Sequence, residues 1–218
     1  MKSGKPQNLD PRQEKLLEDG LLLPVMEMFY SVQGEGYHTG SAAAFLRVGG
    51  CDVGCHWCDI KESWDASIHP LTSIVNISET IAAFKATTVV VTGGEPLLYN
   101  LDPLCRQLKK MGLQVHLETS GAYPLSGLFD WICLSPKHDS PPLPELVQMA
   151  DELKVVVARE EDFAWAEESS SLVKKKCILY LQPEWSKYDH VTQKIVDYVK
   201  QNTKWHISLQ AHKFMRVP

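Results

Sequence analysis

The chain has 218 residues, 44% of them hydrophobic and 22% charged, with a formal net charge of -5; this is the make-up of one α/β domain or of two small ones. Such a charge gives no electrostatic reason to expect nucleic acid or an anionic membrane as a partner, and no apolar run reaches the length of a membrane span. The opening MKSGKPQNLDPRQEK lacks the apolar region of a signal peptide, so a cytoplasmic protein with reduced cysteines is expected, and metal or redox chemistry outranks a disulfide framework.

Residues 1–23 read as a charged N-terminal extension containing Pro6 and Pro11. Within it Asp10 is placed to cap a helix over 11–17, with Pro11 at its first position. A single domain is expected from Pro24 to Pro218. Its first clear strand is AAAFLRV at 42–48, ending at Gly49-Gly50. A helix capped by Ser78 follows over 78–85, then a buried strand TVVVT at 88–92 and a helix from Asp102 to Met111. Further strands are predicted at 113–119, 131–135, 153–157 and 177–182. Helices at 143–150, 160–168 and 191–201 separate most of them, and a last strand covers 206–210.

Strands alternating with helices imply a parallel sheet. About six or seven such units suit either a doubly wound sheet or a curved, incomplete barrel, and periodicity does not choose between them. The strand tips are more telling. Cys51, Gly93-Gly94-Glu95-Pro96, Glu118-Thr119-Ser120-Gly121, Ser135-Pro136-Lys137, Gln182-Pro183 and Gln210-Ala211-His212-Lys213 each follow a strand. Any one of these could be an ordinary turn. Together they favour a site assembled along one rim of a parallel sheet.

Three of the six cysteines, Cys51, Cys55 and Cys58, stand in CDVGCHWCD with C-x3-C-x2-C spacing. A structural zinc site takes four protein ligands, usually from two C-x2-C pairs, and no second pair follows. His56 could serve as a fourth ligand, but its place between two cysteines turns its side chain away easily. Cys105, Cys133 and Cys177 lie singly in apolar contexts and are expected to pack as small hydrophobes. An iron–sulfur cubane otherwise takes four thiolates. Three would leave one iron open, which is what a catalytic cluster needs.

C-x3-C-x2-C with Trp57 before the last cysteine, followed one unit later by Gly93-Gly94-Glu95, resembles the radical S-adenosylmethionine (SAM) superfamily. Within it the chain resembles the 7-carboxy-7-deazaguanine synthases. The motifs are SVQGEG at Ser31 to Gly36, Gly40, Ala43, Phe45 and Arg47 before the cluster, WCD at Trp57 to Asp59 and TGGEP at Thr92 to Pro96. ETSG at Glu118 to Gly121, LSPK at Leu134 to Lys137, LQP at Leu181 to Pro183 and LQAHK at Leu209 to Lys213 complete the set. The resemblance covers residues 24–218.

What the resemblance implies is an abbreviated, incomplete (βα)6-type barrel, a homodimer, and a [4Fe-4S] cluster on Cys51, Cys55 and Cys58 whose open iron binds SAM. The implied reaction contracts the ring of 6-carboxy-5,6,7,8-tetrahydropterin to 7-carboxy-7-deazaguanine with loss of ammonia, SAM being regenerated. The residues implied around SAM are Trp57, Asp59, Gly93, Gly94, Glu95, Ser135, Pro136, Lys137, Gln182, Pro183, Glu184 and Trp185. Around the substrate they are Val32, Gln33, Gly34, Glu35, Arg47, Thr92, Glu118, His212 and Pro218. The arginine fork suits a carboxylate, although a surface ion pair is its ordinary use. Gln33 and Glu35 suit the guanidine-like edge of a pterin, although a polar hairpin tip would read the same. The family places Thr after CD as a Mg2+ ligand. Ile60 stands there in this chain, and an aliphatic side chain cannot coordinate a hard cation, so Mg2+ dependence is expected to be weak or absent. A flavodoxin or ferredoxin is the expected electron donor. The rival readings are a glycyl-radical activating enzyme, which would need a groove for a protein substrate, and a non-catalytic iron–sulfur or zinc protein, which would leave the polar strand tips unexplained.

Overall fold

The protein is described here from a computed structural model covering residues 4–218. Helix α1 (Pro11–Glu18) begins with a capping box: the Asp10 carboxylate accepts the backbone N–H groups of Arg12 and Gln13, and the Gln13 side chain returns to the Asp10 N–H. The chain then enters β1 (Leu22–Val32), which pairs antiparallel with β2 (Ala42–Val48) and, through its first residues, with the short β3 (Leu71–Ser73). Next come α2 (Ile74–Ala83), β4 (Thr88–Gly93), α3 (Asp102–Lys110), β5 (Gln114–Thr119) and β6 (Trp131–Leu134). After them follow α4 (Pro144–Met149), β7 (Glu152–Val157), α5 (Glu161–Leu172), β8 (Ile178–Pro183), α6 (Tyr188–Gln201), β9 (Trp205–Ile207) and α7 (Ala211–Met215).

All nine strands form one sheet in the order β3-β1-β2-β4-β5-β6-β7-β8-β9, parallel from β2 to β9. The β1–β2 connection bridges to the far end of that sheet. Gly34 O accepts from Ala211 N at 2.8 Å, and Gly36 N donates to Ser208 Oγ at 2.9 Å. The sheet is therefore curled into an incomplete barrel, as expected.

Side chains alternate across it. Ala44, Leu46, Val48, Val89, Val91, Val115 and Leu117 face outward and share a buried cluster with Ile77 and Ile81 of α2 and Leu104 and Leu108 of α3. Leu153, Val155, Val157, Leu179 and Leu181 do the same with Phe163 and Ala166 of α5 and Val191 and Ile195 of α6. Each fully buried aliphatic side chain contributes about 1.5–3 kcal/mol; these two clusters lie outside the barrel wall, while a small third one, Phe45 and Val90 with Phe29, lies on the cavity side. The intervening residues Arg47, Thr92, Glu118, Lys154 and Gln182 line the cavity within.

Several local expectations are corrected. Helix α2 starts four residues before Ser78: Ser73 caps it by accepting from Asn76 N at 3.1 Å. Ser78 lies inside the helix and donates to Ile74 O at 2.7 Å. Strands β1 and β3 were not foreseen, because Pro24 within β1 argues against a ladder. Here Pro24 needs no N–H, since it serves through its carbonyl, which accepts from Gly49 N at 2.9 Å. The last strand is shorter than expected, and the chain turns at Gln210 into α7. The expected helix at the N-terminus is α1, and Leu17 of α1 and Leu23 of β1 are buried in the first cluster. The expectations for residues 1–3 lie outside the described residues.

Candidate active site

The cysteine loop leaves the end of β2 and is moored on both sides. Gly50 N donates to Ser63 O at 2.6 Å and Cys51 N to Trp64 O at 3.2 Å, while Gly50 O accepts from Glu95 N at 2.8 Å. A Cβ at Gly94 would lie 2.1 Å from Gly50 O, so the close approach of the two strand tips requires glycine there. The Tyr99 hydroxyl donates to Gly49 O at 2.7 Å, and the Tyr123 hydroxyl binds the Asp52 carboxylate.

Cys51, Cys55 and Cys58 are all free, partly exposed thiols on the wall of one cavity of about 570 Å³. Burial pushes the Cys51 thiol up to about 11 and raises Cys55 as well, so binding a metal centre there would release protons. Among the described residues no three His, Cys, Asp or Glu side chains are gathered tightly enough for a single ion. A four-iron cluster does not ask for that, because each thiolate takes a different iron; three partly exposed cysteines on one cavity wall fit it. His56 is exposed and stacks edge-on against Trp57, away from the cavity lining.

Every other residue implied for SAM and substrate lines the same cavity, with the single exception of Pro136. The Glu95 carboxylate is 1% exposed and saturated. It accepts from Thr119 Oγ1 at 2.6 Å, Leu97 N at 3.0 Å, and the N–H and hydroxyl of Ser120. It thus ties the tip of β4 to the tip of β5, leaving its backbone to face the cavity. Lys137 Nζ donates to Ser135 Oγ at 2.7 Å and lies 5.0 Å over the Trp57 ring; burial lowers its pKa, with Cys55 opposing. Glu184 accepts from Ser186 N at 2.9 Å and caps a short 3-10 turn that carries Trp185.

At the other end stand the charged groups. Gln33 Nε2 donates to Glu118 Oε1 at 3.3 Å. Lys154 Nζ donates to Glu35 Oε2 at 2.6 Å and Glu118 Oε2 at 2.9 Å. Burial acts to raise the Glu35 carboxyl, but the Lys154 charge, with bonds from Lys154 and Gln210, holds it down at about 2. Arg47 lies 5.4 Å over the Phe29 ring, and its Nε is 3.1 Å from Glu27 Oε1 without the alignment of a hydrogen bond. The His212 ring lies against Gly34, and burial lowers its pKa while Glu35 opposes. Pro218 O accepts from Ser31 Oγ at 3.0 Å. Gln33 to Gly36 indeed form a hairpin connection, and that connection lines the cavity.

Gln210 and Lys213, expected at the rim, do line the cavity, whereas sequence reasoning missed Lys154 as a site residue. A lysine interrupting the aliphatic run LKVVV was the available signal for it. Cys133 also departs from expectation: it is buried, but its Sγ lies 3.6 Å from Glu152 Oε1, facing the polar lumen and not an apolar core. The cavity can therefore hold a metal centre and a carboxylated, N–H-rich small molecule side by side.

Comparisons agree with this geometry. The model of the radical SAM superfamily matches residues 46–160. The 7-carboxy-7-deazaguanine synthase of Flavobacterium psychrophilum is 54% identical over 202 residues, covering 93% of this chain and 96% of that protein. The protein of the same name from Synechocystis is 46% identical over 194 residues, covering 89% and 93%. A crystal structure of QueE from Escherichia coli superposes with a TM-score of 0.79 at 30% identity, covering 93% of this chain and all of that one.

Proposed function

The chain belongs to the 7-carboxy-7-deazaguanine synthase family of the radical SAM superfamily, and from that premise we propose how its residues carry out radical ring contraction, a lyase reaction of 7-deazapurine biosynthesis. When bound, a [4Fe-4S] cluster supplies an electron and SAM the 5'-deoxyadenosyl radical that takes a hydrogen atom from the substrate. Cys51, Cys55 and Cys58 would hold the cluster by three thiolates. The backbone of Gly93 to Glu95, the Ser135-Lys137 pair and Gln182 to Trp185 would hold SAM, with Lys137 suited to its carboxylate.

The substrate is 6-carboxy-5,6,7,8-tetrahydropterin. Glu35 and Glu118 accept from its amine and ring N–H groups, Gln33 and Thr92 add polar contacts, and Arg47 takes its carboxylate. Val32, Gly34, His212 and Pro218 complete the enclosure, with Trp57 and Asp59 at the SAM side. The observation that carries this reading is the shared cavity: an acidic pair and an arginine stand on the same wall system as the three cysteines.

Mg2+ does not fit this chain. Ile60 contributes an aliphatic wall to the cavity, and the Asp59 carboxylate is taken by Lys213 at 2.7 Å and Gln210 at 3.2 Å. Turnover is therefore read as independent of added Mg2+. A homodimer, a flavodoxin- or ferredoxin-type donor and a cytoplasmic location complete the proposal; among the described residues no helix is long and apolar enough to cross a membrane.

The test is an anaerobic assay of reconstituted protein with dithionite, SAM and the carboxytetrahydropterin, read by mass spectrometry. Formation of 7-carboxy-7-deazaguanine without stoichiometric loss of SAM is expected. Cleavage of SAM to 5'-deoxyadenosine with no deazaguanine would overturn the substrate.

A further inference from the structure

Lys154 is a lysine inside an aliphatic strand. Its neighbours Leu153 and Val155 point outward into the buried cluster shared with α5 and α6, whereas Lys154 and Val156 point into the cavity. The Lys154 side chain is only 5% exposed. Its ammonium spans two carboxylates from different parts of the chain: Glu35 on the β1–β2 connection and Glu118 near the tip of β5. The second oxygen of each is held as well, Glu35 Oε1 by Gln210 Nε2 at 3.0 Å and Glu118 Oε1 by Gln33 Nε2 at 3.3 Å.

The arrangement has a chemical consequence. Two carboxylates brought this close, their side chains only 19% and 22% exposed, do not both stay ionised unless a cation stands between them. Once one is protonated it carries an O–H donor where an acceptor is needed. The 2-amino-4-oxopyrimidine edge of a pterin offers N–H donors from its ring and its amine, so it requires acceptors. We infer that Lys154 is the positioning residue of the substrate pocket, holding Glu35 and Glu118 ionised and aimed so that the pocket selects a donor edge of this kind.

This inference rests on the substrate reading proposed above. Burial pulls the Lys154 pKa down, but the surrounding Cys133, Glu118, Glu35 and Glu152 carry it well above the usual lysine range. The other titratable groups close by include His212 beside Glu35, His38 near Glu118 and Lys137 across the cavity. None of these bonds to both carboxylates, as Lys154 does.

Lys154→Met and Lys154→Arg are to be compared with the parent holoenzyme. K154M is expected to raise KM for the carboxytetrahydropterin about tenfold or more, the cost of losing a charged hydrogen-bond partner. Its kcat/KM profile should gain an acid limb displaced toward neutral pH. The change that SAM induces in the electron paramagnetic resonance spectrum of the reduced cluster should stay as in the parent, and K154R should restore most of the KM and the profile. Independently of turnover, infrared spectra of protein labelled with carbon-13 glutamate should gain a protonated-carboxyl band at neutral pH in K154M, which K154M/E118Q removes. Parental KM and pH profile in K154M, or no new carboxyl band, would overturn the inference. If the parent fails to turn over the pterin, the substrate reading falls and the infrared comparison still decides whether Lys154 holds the pair ionised. If K154M does not fold, a K154M/E118Q protein that does fold supports the charge argument, and one that does not refutes it.

Discussion

Lys213 Nζ lies 2.7 Å from Asp59 Oδ2, so α7 is fastened to the residue that follows the last cysteine of the cluster loop. Gln210 Nε2 reaches the same Asp59 oxygen at 3.2 Å and Glu35 Oε1 at 3.0 Å. A continuous line of contacts thus runs from Glu118 through Lys154, Glu35 and Gln210 to Asp59. The pocket for the heterocycle and the loop for the metal centre are braced against each other by the C-terminal segment.

Lys213→Met tests that brace. The side chains of the pair are 20% and 49% exposed, and such a pair contributes at most about 1 kcal/mol to stability. A small fall in melting temperature is expected, with iron and sulfide content unchanged. KM for the pterin should rise several-fold, because Gln210 and His212 lose their anchor. Steady-state kinetics beside iron analysis checks this, and an unaltered KM would refute it.

Gly34→Ala is expected to do more damage, although it adds a single methyl group. A Cβ at Gly34 would lie 2.2 Å from His212 Nδ1, so the ring must move, and the bond from Ala211 N to Gly34 O is disturbed with it. Displacements of about 1 Å at a reacting site cost up to about a hundredfold in rate, so kcat/KM for the pterin should fall about ten- to a hundredfold. SAM binding, measured by isothermal titration, should be retained.

Glu152 gives a pH dependence of opposite sense to that of most carboxylates. It is 2% exposed, and burial, with Lys154 opposing, raises its pKa from 4.5 to about 6. Between those values the folded state binds the proton that the unfolded chain has lost. Stability from this group therefore falls as pH rises from 4.5 through about 6 and stays lower above, by about 2 kcal/mol. Glu152→Gln cannot titrate. The stability of the parent minus that of E152Q, from urea unfolding at several pH values, should fall across this window; a difference that rises or stays flat would refute the assignment.

Removing metal other than the cluster should cost nothing. Treatment with a Mg2+ chelator that spares the iron–sulfur centre is expected to leave kcat and KM unchanged. Ile60→Thr places a hydroxyl ligand on the wall and should make turnover respond to added Mg2+. A parent enzyme that needs Mg2+ would show that the ion binds without a side-chain ligand at position 60.

Much of this was legible in the sequence because the chemistry is concentrated at strand tips. The C-x3-C-x2-C spacing, GGEP and the motifs after β5, β6, β8 and β9 mark the cavity rim without any knowledge of the packing. What was not legible depends on which way a strand faces. Lys154 and Cys133 sit in apolar-looking runs, and only the register with β8 and β5 turns them inward. Strand β1 was hidden by Pro24, and the start of α2 by two serines, each able to cap. Tertiary packing of Ile77 and Ile81 decided between them.

The alternation along the barrel wall also separates two kinds of mutational freedom. Outward positions such as Leu46, Val91, Leu117, Val155 and Leu181 are held by the helices, while their immediate neighbours Arg47, Thr92, Glu118, Lys154 and Gln182 face the cavity. An enzyme wired this way can have its inner residues exchanged to accept a different heterocycle while the helix-facing residues keep it folded. The cost of that freedom is registration. A one-residue slip of any strand would exchange the two sets and abolish scaffold and specificity together.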